Sequence, residues 1–402
     1  MRVQPSRIGN GRQTIALLAA TFALAACKGG NESADGNAGA AKPAPAKADA
    51  KTDAKPSAAD PSANDADPAG DAAEPATAWA WDLPKGLYTP PRIPAENPMT
   101  AEKVALGHAL FMDKRLSVDG SRSCYSCHQN ELGNADGLKK AIGPGDKELP
   151  RNTPTIWNVA YHGALYWDGR AANLEAQAIG ALKGGNMGLG DGLEAKAAEI
   201  GALPDYADKF RTAFGLAEGD PVTPDHVVQA LSAYERTLLC GATAHDTQTL
   251  DEAQQRGWQL FIGKGGCLTC HNGENFTDGL FHRTGIGVPE GGEPTEDADR
   301  GRGAITKDPA DDFKFRTPTL RNVSKTAPYF HDGSVDTLEE AVRIMASGGL
   351  PNRGPVDPQL IDRQLTDQEV ADIVTFLSAL DCPGELETIG DQTVAAIPTA
   401  RE

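Results

Sequence analysis

Cysteine, aromatic side chains and long apolar runs are all scarce in this chain of 402 residues. Past the stretch from Thr14 to Ala26 no long apolar run occurs, so the body of the protein is not expected to span a membrane. Strand-like alternation of apolar and polar residues is also rare, which points away from an all-β fold. Basic residues are outnumbered, 38 Lys and Arg against 56 Asp and Glu, for a formal charge of -18. That balance argues against nucleic acid or an anionic membrane face as partner. It suits a basic or lysine-ringed electron-transfer protein, and equally suits simple solubility. From Lys28 to about Ala78 there is no aromatic residue and no periodic apolar face, only Ala, Asp, Lys, Pro, Gly and Ser in quantity, so the segment has nothing to bury.

Four of the seven cysteines lie in two copies of one motif, Cys124-Tyr125-Ser126-Cys127-His128 and Cys267-Leu268-Thr269-Cys270-His271. Two thiols separated by two residues reach the two vinyl groups of one haem, and the adjacent imidazole reaches its iron. Structural zinc, a dithiol redox pair and local disulfides are the competing readings, and zinc would need a fourth ligand that neither motif supplies nearby. Two c-type haems are therefore expected, with Cys124, Cys127, Cys267 and Cys270 as attachment points and His128 and His271 as axial ligands.

Arg2, Arg7 and Arg12 precede the apolar run, as in a bacterial secretory signal. The run ends in Leu24-Ala25-Ala26-Cys27, which resembles a lipobox. The expectation is a signal peptide over 1–26, a lipidated Cys27 anchored at the periplasmic face of a bacterial membrane, and an extended tether to residue 78. Haem attachment outside the cytoplasm agrees with export. Cys240 and Cys382 follow helix-like runs, Val227 to Leu239 and Asp367 to Leu380, in an oxidising compartment. A disulfide and two free thiols both remain open there, because sequence separation alone does not establish pairing.

An internal repeat organises the rest. Gly107-His108-Ala109-Leu110-Phe111 and Gly257-Trp258-Gln259-Leu260-Phe261 each precede a haem motif. After it, Thr153-Pro154-Thr155-Ile156-Trp157-Asn158-Val159 matches Thr317-Pro318-Thr319-Leu320-Arg321-Asn322-Val323. Trp167-Asp168-Gly169 matches His331-Asp332-Gly333 at the same offset, as does Leu174-Glu175 with Leu338-Glu339. Leu174 to Leu182 and Leu338 to Met345 have helical spacing. The fold class is mainly α: two cytochrome c-like domains in tandem, 79–245 and 246–390, behind a disordered linker and before a 391–402 tail. In this register Met345 lies opposite Ala181. A thioether is a good sixth ligand for a c-type haem and alanine is none, so the second haem reads as His271/Met345 ligated and the first as open.

Across 79–385 the chain resembles the bacterial di-haem cytochrome c peroxidase and MauG family, through LGHALFMDKRLS, RNTPTIWN, YWDGRAANLEAQ, CLTCHNGENFTDGLFHRTGIG and FRTPTLRNVSKTAPYFHDGSVDTLEEAVRIM. The resemblance implies reduction of hydrogen peroxide to water with electrons from a small cytochrome c or cupredoxin. Its alternative is a MauG-like oxidase that modifies a partner protein, and a non-catalytic electron-transfer lipoprotein is the reading from another class. It also implies a homodimer, and a calcium ion whose matching residues are Asn152, Thr326 and Pro328. Trp167 would lie between the haems, with Arg151 and His331 near them. Met345, in place of the tyrosine of MauG, resembles the peroxidase branch.

Two departures from the family concern the first haem. Its displaceable distal histidine is expected in the loop Ala141-Ile142-Gly143-Pro144-Gly145-Asp146, where Pro144 stands and cannot bind iron. Its distal glutamate is replaced in Asn186-Met187-Gly188. Asn186 can hydrogen-bond peroxide but cannot take and return a proton, so either Gln129, Glu131 or water supplies it or the enzyme does not process peroxide efficiently. His162, Met187 and Met112 read as structural, and His108, His226, His245 and His282 have no placement that favours iron.

Overall fold

The computed structural model describes residues 79–383 and two strands beyond them, all within one compact unit, Ala73–Glu402. The signal peptide, Cys27 and the tether lie outside the described residues, as does the 391–402 tail apart from one strand. Among the described residues the helices are α1 Ala101–Met112, α2 Leu174–Lys183, α3 Leu193–Gly201, α4 Pro204–Phe214, α5 Pro224–Arg236, α6 Ala244–Thr247, α7 Glu252–Ile262, α8 Arg302–Thr306, α9 Leu338–Ala346 and α10 Asp367–Ser378. Strands are short: β1 Phe281–His282 pairs with β2 Phe315–Arg316, and β3 Leu386–Ile389 with β4 Gln392–Ala395, both antiparallel. The mainly α class holds, and the helical runs expected around 174–182, 227–239, 338–345 and 367–380 coincide with α2, α5, α9 and α10.

Each half is built on one helix crossing, and the same residue type permits it in both. A Cβ on Gly107 of α1 would stand 1.9 Å from the Ala230 carbonyl oxygen of α5, and a Cβ on Gly257 of α7 would stand 1.9 Å from that of Asp372 in α10. Only glycine allows backbones so close. One turn further, Phe111 meets Tyr234 and Phe261 meets Phe376, both with ring centroids 5.2 Å apart. Leu106, Leu110, Val227 and Leu231 complete the first core, and Phe276, Ile373 and Leu377 the second. Truncating a fully buried phenylalanine in such a cluster costs about 3–5 kcal/mol. Matching caps start the equivalent helices α2 and α9: the Ala176 N–H donates to Asn173 Oδ1, and the Glu340 N–H to Thr337 Oγ1.

The halves are interleaved. Asn158 and Asn322, equivalent in the repeat, both adopt left-handed backbone, with φ of 55° and 60°. Asn158 accepts from the Cys240 N–H at 2.7 Å through Oδ1, and Asn322 accepts from the Cys382 N–H at 2.9 Å. Aligning the crossings (Ala230 with Asp372, Tyr234 with Phe376) also aligns Cys240 with Cys382, and these two are joined in a disulfide with a Cα separation of 5.4 Å. The bond thus links equivalent points of the two repeats. Around it Asn158 Nδ2 donates to Asn275 Oδ1 at 2.7 Å, and buried Arg321 pairs with Asp246 at 2.7 Å.

Candidate functional site

Each Cys-x-x-Cys-His motif forms one short 3-10 turn, Cys124–Ser126 and Cys267–Thr269, that folds its histidine back: the His128 N–H donates to Cys124 O at 3.0 Å and the His271 N–H to Cys267 O at 2.9 Å. His128 Nδ1 contacts Asn134 O at 3.0 Å and His271 Nδ1 contacts Phe276 O at 2.9 Å. A carbonyl only accepts, so Nδ1 carries the proton in both rings and Nε2 keeps its lone pair for iron. Burial lowers the pKa of both imidazoles, holding them in the neutral form that ligates. None of the four motif cysteines is in a disulfide. Both thiols of each pair are thus available for thioether bonds, unlike a dithiol already closed on itself.

Behind the second motif lies a cavity lined by His271, Met345, Leu377, Phe330, Arg316 and Trp167, among others. Two segments distant in sequence, the motif and the last turn of α9, therefore bring the imidazole and the thioether to one cavity. Arg316 tests whether that cavity suits a haem. It is 6% exposed and its Nη1 donates to Thr317 O at 3.2 Å, but its Nε has no partner among the described residues. Burial pulls its pKa down to about 10. A buried guanidinium with an unmet donor calls for an anion, and the carboxylate of a haem propionate is the complement. The residues present fit the group.

Arg151, expected near a haem, is paired with protein carboxylates. Its Nε and Nη2 donate to Asp299 at 2.7 and 2.8 Å, and its Nη1 donates to Asp168 at 2.7 Å. Arg316, which sequence reasoning passed over, has an unmet donor and lines this cavity. A buried arginine's partner is set by residues far off in the chain, so only its place in FRTPTLRN could have flagged it. His162 lies beside Arg316, where burial first and then that positive charge lower its pKa to about 3.

Trp167 sits where the halves meet. Its Nε1 donates to Asn152 O at 2.9 Å, its carbonyl accepts from the Arg316 N–H at 2.8 Å, and its ring meets His331 edge-on at 6.4 Å. His331 stacks on Phe315 at 3.4 Å and is held neutral by burial, at about 4. The Asn152 N–H donates to His331 O at 2.8 Å. Thr326 and Pro328 lie on the turn that leads to His331, and Thr326 approaches the first half, since a Cβ on Gly133 would lie 2.8 Å from its Cγ2.

On the first-haem side the two departures come together. A Cβ on Gly143 would lie 2.2 Å from Gly185 O, and one on Gly188 would lie 3.5 Å from Pro144 Cγ. The Pro144 loop thus packs against the turn bearing Asn186. Asn186 is exposed, whereas Met187 is 4% exposed and belongs to the core. Glu131, a candidate proton source, is exposed and accepts from Tyr125 OH at 2.8 Å, and Gln129 Nε2 donates to Ser126 O at 3.2 Å.

His282 also gains a role. Its ring nitrogens contact Asp357 at 2.6 Å and Asp278 at 3.0 Å, and Cys270, Asp278 and His282 cluster within 4.8 Å. Hydrogen bonding to Cys270 and the two carboxylates pushes it up to about 10. Once Cys270 forms a thioether the carboxylates remain, so the group is an ion-paired wall of the second motif rather than a metal site.

Residues 101–254 match the di-haem cytochrome c peroxidase family and residues 254–381 the cytochrome c family. Cytochrome-c peroxidase IdrP1 of Denitromonas iodatirespirans is 40% identical over 329 residues, spanning 74% of this chain and 86% of that one. Methylamine utilization protein MauG of Methylorubrum extorquens is 41% identical over 296 residues, 71% of this chain and 80% of that one. Among solved structures, a MauG-like protein associated with microbial copper homeostasis is 36% identical with a TM-score of 0.71, covering 76% of this chain and 97% of that one. No helix among the described residues is long and apolar enough to cross a membrane. With a haem motif in each matched half and alignment along most of the length of both peroxidases and MauG proteins, this chain belongs to the di-haem cytochrome c peroxidase/MauG family, whose cofactors are covalent c-type haems.

Proposed function

We propose that the protein is a periplasmic peroxidase that reduces hydrogen peroxide to water with electrons from a small cytochrome c or cupredoxin. The observation that carries the reading is the inequality of the pockets. Met345 lines the same cavity as His271, while the matching position in α2 is Ala181. Bound haem supplies redox chemistry: electron transfer at the second centre and O–O cleavage at the first. His128 would hold the first iron through Nε2, and His271 and Met345 would hold the second. Pro144 cannot ligate iron, so no side chain at that position would have to be released before peroxide enters. Asn186 offers a hydrogen bond to peroxide but no proton. Arg316 pairs with a propionate, and Trp167 fills the seam across which electrons pass. Calcium at Asn152, Thr326 and Pro328 would stiffen that seam. Cys27 carries the lipid that tethers the body to the membrane, and the protomers pair as a homodimer.

A MauG-like oxidase acting on a partner protein is the second reading, favoured by the 36% identity with the MauG-like copper-homeostasis protein and by Pro144. Spectra of the oxidised protein decide first. One high-spin haem that shifts on adding cyanide or peroxide, plus turnover of peroxide with a reduced donor, is the expected result. Two low-spin haems unresponsive to ligands would leave electron transfer alone. A responsive haem without turnover by any donor would favour the oxidase.

A further inference from the structure

The repeat shows what the first pocket has that the second lacks. Alignment of the two helix crossings places Tyr234 on Phe376 and the next residue, Glu235, on Leu377. Leu377 lines the second cavity. Likewise Tyr166 falls on Phe330: each precedes the matched Trp167-Asp168-Gly169 or His331-Asp332-Gly333, each has left-handed backbone (φ 65° and 68°), and each sits in the same bridge, Leu165 with Ala171 and Tyr329 with Val335. Phe330 also lines the second cavity. Two apolar wall positions of the electron-transfer pocket are therefore a carboxyl and a phenol in the pocket of His128.

Glu235 is inside the protein and close to the first haem motif, and half-buried Tyr166 lies near it. Glu235 is 8% exposed. After burial, its charge is the largest influence on the Cys124 thiol, and it also raises the pKa of Tyr166. The groups facing it are Arg236 on its own helix, Glu175 from α2, Tyr166 and Cys124. Arg236 Nη2 donates to Glu175 Oε1 at 2.7 Å, and the pull of its charge on Glu235 is weaker than the effect of burial. Burial, opposed by Arg236 and helped by Glu175, pushes Glu235 up to about 8, so its carboxyl carries a proton at neutral pH. The Tyr166 hydroxyl donates to Gln177 O at 2.9 Å, and its ring carries the Arg170 guanidinium at 3.3 Å.

We propose that Glu235, with Tyr166 beside it, is the proton-delivering group of the first haem pocket, replacing the glutamate whose place Asn186 occupies. This rests on the peroxidase reading above. One hydrogen peroxide, two protons and two electrons become two waters. A proton from the Glu235 carboxyl goes to the leaving oxygen as the O–O bond breaks, so that oxygen departs as water. Glu235 regains a proton from solvent and passes it to the remaining oxygen, and the two electrons come from the one-electron donor protein. Tyr166, whose own proton goes to Gln177 O, is left with an oxygen that accepts from the carboxyl and orients it.

The test uses the haem-loaded protein and Glu235→Gln, which keeps shape and hydrogen bonding, with Glu235→Leu, the residue of the second half, as a variant suited to an apolar wall. Infrared difference spectra on binding carbon monoxide to the reduced first haem report the carboxyl without peroxide chemistry. Wild type is expected to show a protonated-carboxyl band that shifts on ligation and is absent from both variants. The peroxide reaction is expected to fall by about 10²-fold or more in Glu235→Gln, and the wild-type decline above about pH 8 should vanish, while carbon monoxide affinity stays unchanged. Peroxide kinetics in Glu235→Gln equal to wild type, or no carboxyl band that responds to ligation, overturns the proposal. Wild-type protein inert to peroxide overturns the peroxidase reading and, with it, delivery to peroxide, and the infrared band then tells whether Glu235 still serves that pocket.

Discussion

Removing the Cys240–Cys382 bond, with Cys240→Ala and Cys382→Ala together, is expected to uncouple the two halves. The bond closes a loop with a sequence separation of 142. On the chain-entropy account, a loop of that size in the unfolded chain is worth about 5 kcal/mol at 25 °C. The native side offers little to offset the loss: Cys240 is fully buried, and removing its sulfur leaves a small void beside Asn322 Nδ2, which now contacts both sulfurs at 3.3 and 3.1 Å. The backbone bonds from Cys240 and Cys382 to Asn158 and Asn322 persist, because they use main-chain N–H groups. The expected loss is therefore about 3–5 kcal/mol. Guanidinium unfolding, followed at once by far-ultraviolet dichroism and by the Soret absorbance of the haems, measures it. Wild type should unfold in one transition seen by both probes. The variant should unfold earlier, and because the covalent link joins equivalent points of the repeats, its two probes should separate. A loss below about 1 kcal/mol with coincident transitions would refute the reasoning, since it would mean that the seam of Asn158, Asn275, Arg321 and Asp246 alone holds the halves in register.

Met345→Ala should lower the reduction potential of one haem and leave cyanide binding at the other intact, as read by a redox titration and an optical ligand titration. Gly257→Ala should destabilise by about 1–3 kcal/mol or more, because a methyl placed 1.9 Å from Asp372 O forces α7 and α10 apart; thermal unfolding of the holoprotein checks it. Asp246 has a pKa well below the usual carboxylate range: burial pushes it up, but His245 and Arg321 outweigh that. A depressed pKa adds stability that is complete above about pH 4 and is lost as the pH falls further. Asp246→Asn should therefore lose most at neutral pH and little in acid, flattening the acid limb of a stability–pH curve.

The repeat carried much of the fold into plain view. The helices around 174–182 and 338–345 were readable because their apolar spacing is local, and Met345 stood out against Ala181 because one half served as a template for the other. Arg316, Glu235 and Tyr166 were missed for a common reason. An arginine becomes a ligand group, or a glutamate an acid, through what surrounds it, and those surroundings come from other segments. Arg151 shows the converse, as its family position suggested a haem contact while Asp168 and Asp299 occupy its nitrogens. Aligning α5 on α10 residue by residue would have exposed Glu235 opposite Leu377, but the sequences there share too little to set the register without the glycine crossings.

By itself the sequence determined the covalent chemistry. Two Cys-x-x-Cys-His motifs need only their own few residues to reach a haem, so they are legible wherever the chain folds. The tertiary structure decided what those haems meet. The partnership of Cys240 with Cys382, the shared cavity of His271 and Met345, the unmet donor of Arg316 and the buried carboxyl of Glu235 all depend on close packing between segments far apart in the chain. Burial and unmet hydrogen bonds are properties of that packing, and they set charge, proton affinity and access at the two centres.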